Sequence, residues 1–232
     1  MTTLLAQVEI RKRTGETCVA QDGFCPEWIA QNWERYVAPF YEHVILTVVS
    51  VGIGFAIAFG LAIIAHRRRW LVTPITGVTG ILYTIPSIAA FLLLIPVTGR
   101  GNVTAIVALV AYTLLIIFRN ITTGLNNVPE ETKDAARGMG LTDRQLLWRV
   151  EMPLAVPEIL AGLRIATTTT IGLATFAFLA GAGGLGAEIL ADLTFKSNVF
   201  VAGGLCVLLA AFFDVLILGF QRLVTPWQRA RT

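Results

Sequence analysis

The chain has few of the charged residues that a water-soluble surface requires. Only 14% of its 232 residues are charged and 55% are hydrophobic, whereas ordinary soluble domains contain about 25% charged residues. The mean hydropathy is +0.71. The apolar residues come in long blocks with short charged segments between them, which is typical of a membrane protein and not of a soluble core.

Residues that bind metals or carry out catalysis are also scarce. The chain has two histidines and three cysteines, without the Cys/His spacing of a metal site. His43 and His66 stand at opposite ends of one apolar block, so we expect them on opposite membrane faces. The sequence therefore predicts no metal site, no catalytic site and no enzyme activity in this chain.

Five apolar blocks have about the length that a helix needs to cross a bilayer, roughly 20 residues. They cover residues 44–65, 75–98, 103–119, 159–180 and 199–220. The third block is short and can be extended by the uncharged residues after Asn120. None of the blocks alternates polar and apolar residues as a barrel strand does. We expect an all-α integral membrane protein with five transmembrane helices.

The basic residues predict the orientation of these helices. Twelve of the 18 lysines and arginines fall after the first block, between the third and fourth blocks with Arg119 and Arg164 at the borders, or after the fifth block. Short cytoplasmic segments are rich in such residues, so the pattern predicts an N-terminus outside and a C-terminus inside. Because the basic residues flank apolar blocks and form no single patch, we expect no nucleic-acid partner despite the net charge of +3.

The first 42 residues are predicted to form an extracytoplasmic tail. Residues 26–42 have an amphipathic helical pattern that includes Trp28 and Trp33, which is typical of a helix on the membrane surface. An ordinary soluble amphipathic helix is the alternative. We expect the transmembrane domain over 43–227 and a cytoplasmic tail over 228–232.

Two of the cysteines lie in this outer tail. Cys18 and Cys25 flank a Gln-Asp-Gly turn on the side of the membrane where disulfides persist. A hairpin there brings their Cα atoms within bonding range, so we predict a disulfide. Two free thiols are the alternative. Cys206 lies inside an apolar block and is interpreted as a core residue.

The loop between the third and fourth blocks, residues 126–153, contains signals for two short helices. Asn127 is a candidate cap for the first helix, which Gly138 and Gly140 should end. Thr142 and Gln145 form a capping-box pattern for the second helix, which we expect to end before Pro153. Such a rigid bend with small exposed residues is typical of a docking element. A solvated hairpin explains the charges but not the paired breaks and caps.

This loop resembles the EAA loop of ABC importer permeases. That pattern is Glu-Ala-Ala, a glycine four positions after the second alanine, and then Ile-x-Leu-Pro. The corresponding residues are Asp134, Ala135, Ala136, Gly140, Val150, Met152 and Pro153. Three of them depart from the pattern but keep its charge or apolar character. The resemblance implies a type I importer permease whose loop carries a coupling helix in a groove of a cytoplasmic ATPase.

Longer segments resemble the osmoprotectant branch of these permeases, which carries glycine betaine, carnitine or choline. They include residues 83–87, 119–125, 137–140, 149–155 and 162–164. The resemblance implies a multi-pass protein of the prokaryotic inner membrane. Its partners would be ATPase subunits, which bind ATP and magnesium, a second permease subunit and a binding protein. Because no binding domain follows the last block, we expect that protein to be separate.

Other interpretations remain open at this point. The glycine run 181–186 also resembles that of methionine importers, which leaves an amino-acid importer as the alternative. The run lacks the lysine of a nucleotide-binding loop, and we interpret it as a close-packed turn where a binding protein docks or two permease halves meet. A secondary transporter normally shows internal repeats and charged mid-membrane residues. Asp214 is the one acidic residue inside a span, and we expect it to pair with Arg222 or a neighbouring helix.

Overall fold

The computed structural model describes residues 18–19 and 21–227. The basic segment 11–13 and the predicted tail 228–232 lie outside the described residues. Ten α-helices make up most of the described chain. In order they are α1 (Pro26–Gln31), α2 (Val37–Arg67), α3 (Val72–Thr84), α4 (Ser87–Thr98), α5 (Asn102–Asn126), α6 (Glu130–Gly138), α7 (Asp143–Leu146), α8 (Met152–Ala174), α9 (Leu185–Ala191) and α10 (Lys196–Val224).

Within the described residues, four stretches of helix are long and apolar enough to cross a membrane. They are Trp33–Arg67, Asn102–Asn126, Asp143–Ala174 and Lys196–Val224. A fifth apolar stretch is a pair of helices, α3 and α4, bent by 98°. The prediction of five apolar spans is confirmed if this bent pair is counted as one. The predicted extension of the third block past Asn120 is also present.

The bend between α3 and α4 has a local cause in Pro86. Proline disfavours the helical conformation at the residue before it, and Ile85 is extended, with φ −62° and ψ 127°. The hydroxyl of Tyr112 on α5 donates a hydrogen bond to the carbonyl of Ile85. The chain therefore does not form one continuous helix over 75–98.

The centre of the fold is α5, which packs against α2, α3, α4 and α8. Of the 18 most apolar consecutive residues of α5, 56% are buried. The corresponding share for α10 is 22%, so α10 lies at the periphery. Small residues allow the close approach of α8: a Cβ atom on Gly162 would lie 2.4 Å from Cβ of Asn120. This packing holds α8, the helix that follows the loop over residues 126–153, against the middle of the bundle.

The N-terminal region differs from the single surface helix expected over 26–42. Helix α1 is short, a 3₁₀ turn covers Trp33–Tyr36, and α2 begins at Val37. Trp28 packs edge-on against Phe195 with 4.7 Å between ring centroids. The hydroxyl of buried Tyr36 donates to Asn198 at 2.8 Å. These contacts favour folding back onto the protein, so the expected boundary at residue 42 falls inside α2.

Candidate functional site

The first half of the loop over residues 126–153 is α6, a short amphipathic helix. Pro129 precedes it with φ −56° and ψ 138°, and Glu130 and Glu131 occupy its first turn, where acidic groups suit the positive end of the helix. The expected cap, Asn127, instead ends α5. Pro129 takes the capping position because its fixed φ and extended ψ suit the entry to a helix, although it offers no side-chain acceptor.

The bend after α6 is a Schellman motif. The N–H of Leu141 donates to the carbonyl of Ala136 at 3.2 Å, and the N–H of Gly140 donates to that of Arg137 at 2.9 Å. The motif needs a left-handed residue at the second donor, and Gly140 has φ +83°. The predicted break at this glycine therefore has a backbone cause. Met139 beside it is 75% exposed, so the outer side of the bend is not covered by the rest of the described chain.

The second half of the loop begins with the predicted capping box. Thr142 accepts a hydrogen bond from the N–H of Gln145 and donates its own N–H to the Gln145 side chain at 2.9 Å. The helix does not end before Pro153. It passes through a π turn over Leu147–Glu151 into α8. A π turn moves the carbonyl that would otherwise clash with the proline ring, which is why the helix can continue.

The seven residues predicted for ATPase coupling fall into two groups. Asp134, Ala135 and Gly140 are exposed on α6 and the bend. Val150, Met152 and Pro153 are partly buried at the π turn and the start of α8. Ala136 stands apart from both groups, because it is 2% exposed. Its side chain lies on the face of α6 that packs against the rest of the protein. Thr132, four positions earlier, lies on the same face, and Asp134 lies on the opposite face.

The exposed face of α6 carries its own ion pairs. Arg137 donates to Asp134 at 3.0 Å and to Glu130 at 3.3 Å, and Lys133 donates to Glu130 at 3.2 Å. The hydrogen bonds from Lys133 and Arg137 lower the pKa of the Glu130 carboxyl. These pairs hold the acidic and basic side chains of α6 next to one another. Exposed pairs of this kind add little stability.

A buried charge cluster beneath α6 was not expected from the sequence. Lys133 and Glu151 are 6% and 4% exposed, and their charged atoms lie 4.0 Å apart. His66, in the last turn of α2, donates Nε2–H to the other oxygen of Glu151 at 2.8 Å. The three residues are 67 and 18 positions apart along the chain, so periodicity gave no signal of their contact.

A basic cleft of about 570 Å³ adjoins this cluster on the same side of the molecule. Its lining residues are His66, Arg67, Arg69, Glu130, Lys133, Arg137, Asp143, Arg144, Leu146, Leu147 and Glu151. The cleft joins the end of α2 to both halves of the loop. The described part of the chain holds no group of three or more residues suited to binding a metal ion.

At the opposite end of the molecule, the predicted disulfide is present. Cys18 and Cys25 are bonded, with their Cα atoms 5.9 Å apart. Buried Ser197 at the start of α10 accepts a hydrogen bond from the N–H of Cys25 at 2.7 Å and donates to the carbonyl of Gly23 at 3.0 Å. The disulfide hairpin is thus fixed to the first turn of α10.

The glycine run 181–186 forms a tight turn at this same end. The N–H of Gly184 donates to the carboxylate of Glu42 at 3.1 Å. A Cβ on Gly183 would lie 1.7 Å from a Glu42 oxygen, and one on Gly186 would lie 1.8 Å from the Thr175 carbonyl oxygen. Gly181 and Gly184 have φ +80° and +98°. Glycine is required here for close packing, in agreement with the interpretation as a close-packed turn.

Comparison with known proteins identifies the family. Residues 50–229 match the family described as binding-protein-dependent transport system inner membrane component. The chain belongs to this family. As a member with several membrane-spanning helices, it is a multi-pass protein of the inner membrane. The match includes α2 from Ser50 onward and all later helices, with the loop over residues 126–153 among them.

Two permeases of this family illustrate the similarity. The osmoprotectant import permease protein OsmW of Salmonella typhimurium is 38% identical over 193 residues, covering 80% of this chain and 90% of that protein. The choline transport system permease protein OpuBB of Bacillus subtilis is 36% identical over 202 residues, covering 86% of this chain and 93% of that protein.

The fold is that of a type I importer permease. An inward-facing structure of the MetNI methionine ABC transporter superposes with a TM-score of 0.67 and 26% identity, covering 90% of this chain and all of the matched chain. A second crystal form gives the same TM-score at 24% identity. These structures share the helix arrangement, whereas the sequence relatives with higher identity are osmoprotectant permeases.

Proposed function

We propose that this chain is the membrane-spanning permease subunit of an ATP-driven importer for osmoprotectants such as glycine betaine, carnitine or choline. The observation that carries the proposal is its 38% and 36% identity to two permeases of that type over most of their length. The methionine transporter shares the fold at lower identity, so the amino-acid alternative has less support.

The proposed orientation places the N-terminus outside and the cytoplasmic loop inside. Arg67, Arg69 and Arg144 meet around one cleft at the loop end of the bundle, as the positive-inside rule requires of a cytoplasmic face. The disulfide then lies at the outer face, where such bonds persist. In this arrangement residues 1–42 contain the outer tail and residues 228–232 form the inner one.

The proposed ATPase contact is the exposed side of α6 and the bend that follows it. Asp134 and Ala135 are exposed there beside Gly140, and the Schellman motif and the capping box fix the angle between the two halves. A partner groove can receive this convex, small-residue surface closely. ATP and magnesium would be bound by that partner, and this chain would take no chemical part in hydrolysis.

The continuity of the loop with α8 suggests how coupling works. Asp143–Ala174 forms one long helical stretch that leaves the bend and packs along α5 through the membrane. A displacement of α6 by a closing ATPase would change the tilt of this stretch. Because α8 also packs against α2 and α10, its movement would reshape the path between two permease subunits.

The outer end offers the proposed contact for a separate substrate-binding protein. The turn 181–186 lies against Glu42 on α2, and the disulfide hairpin lies against the start of α10. Both are fixed by hydrogen bonds, so they form a rigid surface to which a loaded binding protein can attach. The second permease subunit would be either a copy of this chain or a homologue.

Uptake by the reconstituted complex tests the function. The chain is expressed with the ATPase and binding protein encoded beside it, and proteoliposomes are supplied with labelled glycine betaine, choline, carnitine or methionine. We expect ATP-dependent uptake of at least one quaternary amine and none of methionine. Uptake of methionine alone contradicts the proposed substrate class. A complex with an ATPase that cannot hydrolyse ATP is the control for leakage.

A further inference from the structure

The attachment of α6 to the rest of the chain depends on very few side chains. Only Lys133 and Ala136 are buried on this helix. The alanine contributes a single methyl group, which fixes no direction. The long side chain of Lys133, 6% exposed, reaches from α6 into the body of the protein. It is therefore the main buried link between α6 and the membrane domain.

The group that Lys133 reaches is at a joint of the structure. Glu151 is the last residue of the π turn between α7 and α8, and π turns often mark functional positions in helices. Its carboxylate is 4% exposed, lies 4.0 Å from the Lys133 ammonium and accepts the hydrogen bond from His66 at 2.8 Å. One buried carboxylate thus contacts the last turn of α2, helix α6 and the beginning of α8.

We propose that Glu151 is a positioning residue that transmits movement of α6 to both α2 and α8. This proposal rests on the function proposed above, because it assigns α6 to the ATPase. Lys133 also donates to Glu130 of its own helix at 3.2 Å, so a displacement of α6 that separates it from Glu151 would leave the carboxylate, 4% exposed, without its lysine partner, and breaking a buried pair is strongly disfavoured. Glu151 therefore follows α6, and His66 draws the end of α2 with it.

The contact pattern favours transmission over a role in stability alone. Hydrophobic pairs of similar volume often stabilise a protein as well as a buried ion pair does, whereas this pair joins a helix whose only buried apolar residue is Ala136 to the joint between α7 and α8. A second ion pair on α8, between Arg164 and Asp214, joins α8 to α10 at 2.8 Å, does not touch α6 and provides a control.

The test compares Glu151→Gln with Asp214→Asn in the complete complex with ATPase and binding protein. Both changes convert a paired carboxylate to an amide. We expect Glu151→Gln to keep the ATPase bound and hydrolysing while uptake per ATP falls by about fivefold or more, a typical coupling factor. We expect Asp214→Asn to leave uptake per ATP unchanged. Equal uptake per ATP in Glu151→Gln and the unmodified complex overturns the proposal.

Two further variants cover the case in which Glu151→Gln does not assemble. Lys133→Arg keeps the cation, so uptake per ATP should stay near the unmodified value. His66→Leu removes only the contact to α2, so uptake per ATP should fall in part. If uptake per ATP is unchanged in His66→Leu and falls in Lys133→Arg although the cation is kept, the cluster is not the link.

A measurement without substrate separates this proposal from the proposed function. Trp70, just after α2, is 70% exposed, and a cysteine in its place reports on the end of α2 through its rate of thiol labelling. We expect ATP to change that rate in the unmodified complex but not with Glu151→Gln. If osmoprotectants are not taken up but this difference is found, the substrate is wrong and the link stands. If the rates respond alike, the link fails.

Discussion

Arg164 on α8 and Asp214 on α10 form a two-pronged ion pair, with Nε and Nη2 each 2.8 Å from a carboxylate oxygen. A guanidinium matches a carboxylate in this geometry and a lysine ammonium does not. We therefore expect Arg164→Lys to lower the melting temperature of the purified protein. Arg164→Gln should lower it further, because Asp214 then lacks a cation inside a spanning helix. Equal melting temperatures for both variants and the unmodified chain would show that the pair is not structural.

Gly140→Ala should weaken attachment of the ATPase through the backbone alone. A Cβ at this position meets nothing within 4 Å, but φ is +83°, and a left-handed residue other than glycine costs about 1–2 kcal/mol. Gly138→Ala is the matched control, since Gly138 also has open space but lies in helix α6. Co-purification of the ATPase measures the effect. Equal retention by both variants contradicts the role of the Schellman bend.

Gly186→Ala should destabilise the turn at the outer end. The added methyl would lie 1.8 Å from the carbonyl oxygen of Thr175, and backbone atoms cannot rotate away. Overpacking of this kind typically costs about 1–3 kcal/mol. Gly172→Ala, where no atom lies within 4 Å, is the control. Thermal unfolding in detergent compares them, and similar melting temperatures would contradict the close packing described here.

Reduction of the Cys18–Cys25 bond should loosen the outer hairpin without unfolding the bundle. The bond closes a loop with a separation of seven residues, for which the expected contribution is about 2 kcal/mol, felt locally. Mass spectrometry of unreduced protein should recover the two cysteine peptides as a linked pair. In the double variant Cys18→Ser, Cys25→Ser, proteolysis near Gly23 should become faster. Alkylation of both thiols without a reductant would refute the bond.

Membrane orientation can be measured with a thiol reagent that does not cross the membrane. Single cysteines at Arg68 or Arg144 should be protected in intact cells, whereas one at Lys196, at the start of α10, should react. The native thiols interfere little, because Cys18 and Cys25 are bonded and Cys206 is buried. The reverse pattern would place the cytoplasmic loop outside and exclude it as an ATPase contact.

Features that depend on local sequence were predictable. The apolar blocks, the Thr142 capping box and the glycine break at Gly140 each depend on residues within a few positions of one another. The same holds for the hairpin of Cys18 and Cys25. In each case the physical requirement, such as a left-handed backbone or a side-chain cap, selects a small set of residue types that can be recognised along the chain.

Features that depend on contacts between distant elements were not predictable. Nothing along the chain signals that Lys133, Glu151 and His66 meet, because each looks like an ordinary charged or polar residue near a helix end. The passage of the loop into α8 was missed because Pro153 usually ends a helix, and a π turn was needed to accommodate it. Tyr36 and Trp28 fit a surface helix equally well until their contacts with α10 are known.

The unbroken path from the capping box of Thr142 to Ala174 has a geometric consequence. A helical stretch of 32 residues is about 48 Å long at 1.5 Å per residue, well beyond the roughly 30 Å of a bilayer interior. In the proposed importer it would serve as a lever with one arm outside the lipid. Pivoting such a rod by about 10° around its midpoint shifts each end by roughly 4 Å. That distance is about one van der Waals contact between carbon atoms, roughly 3.5–4.0 Å, so a modest swing at the bend is enough to make or break side-chain contacts at the far end of α8.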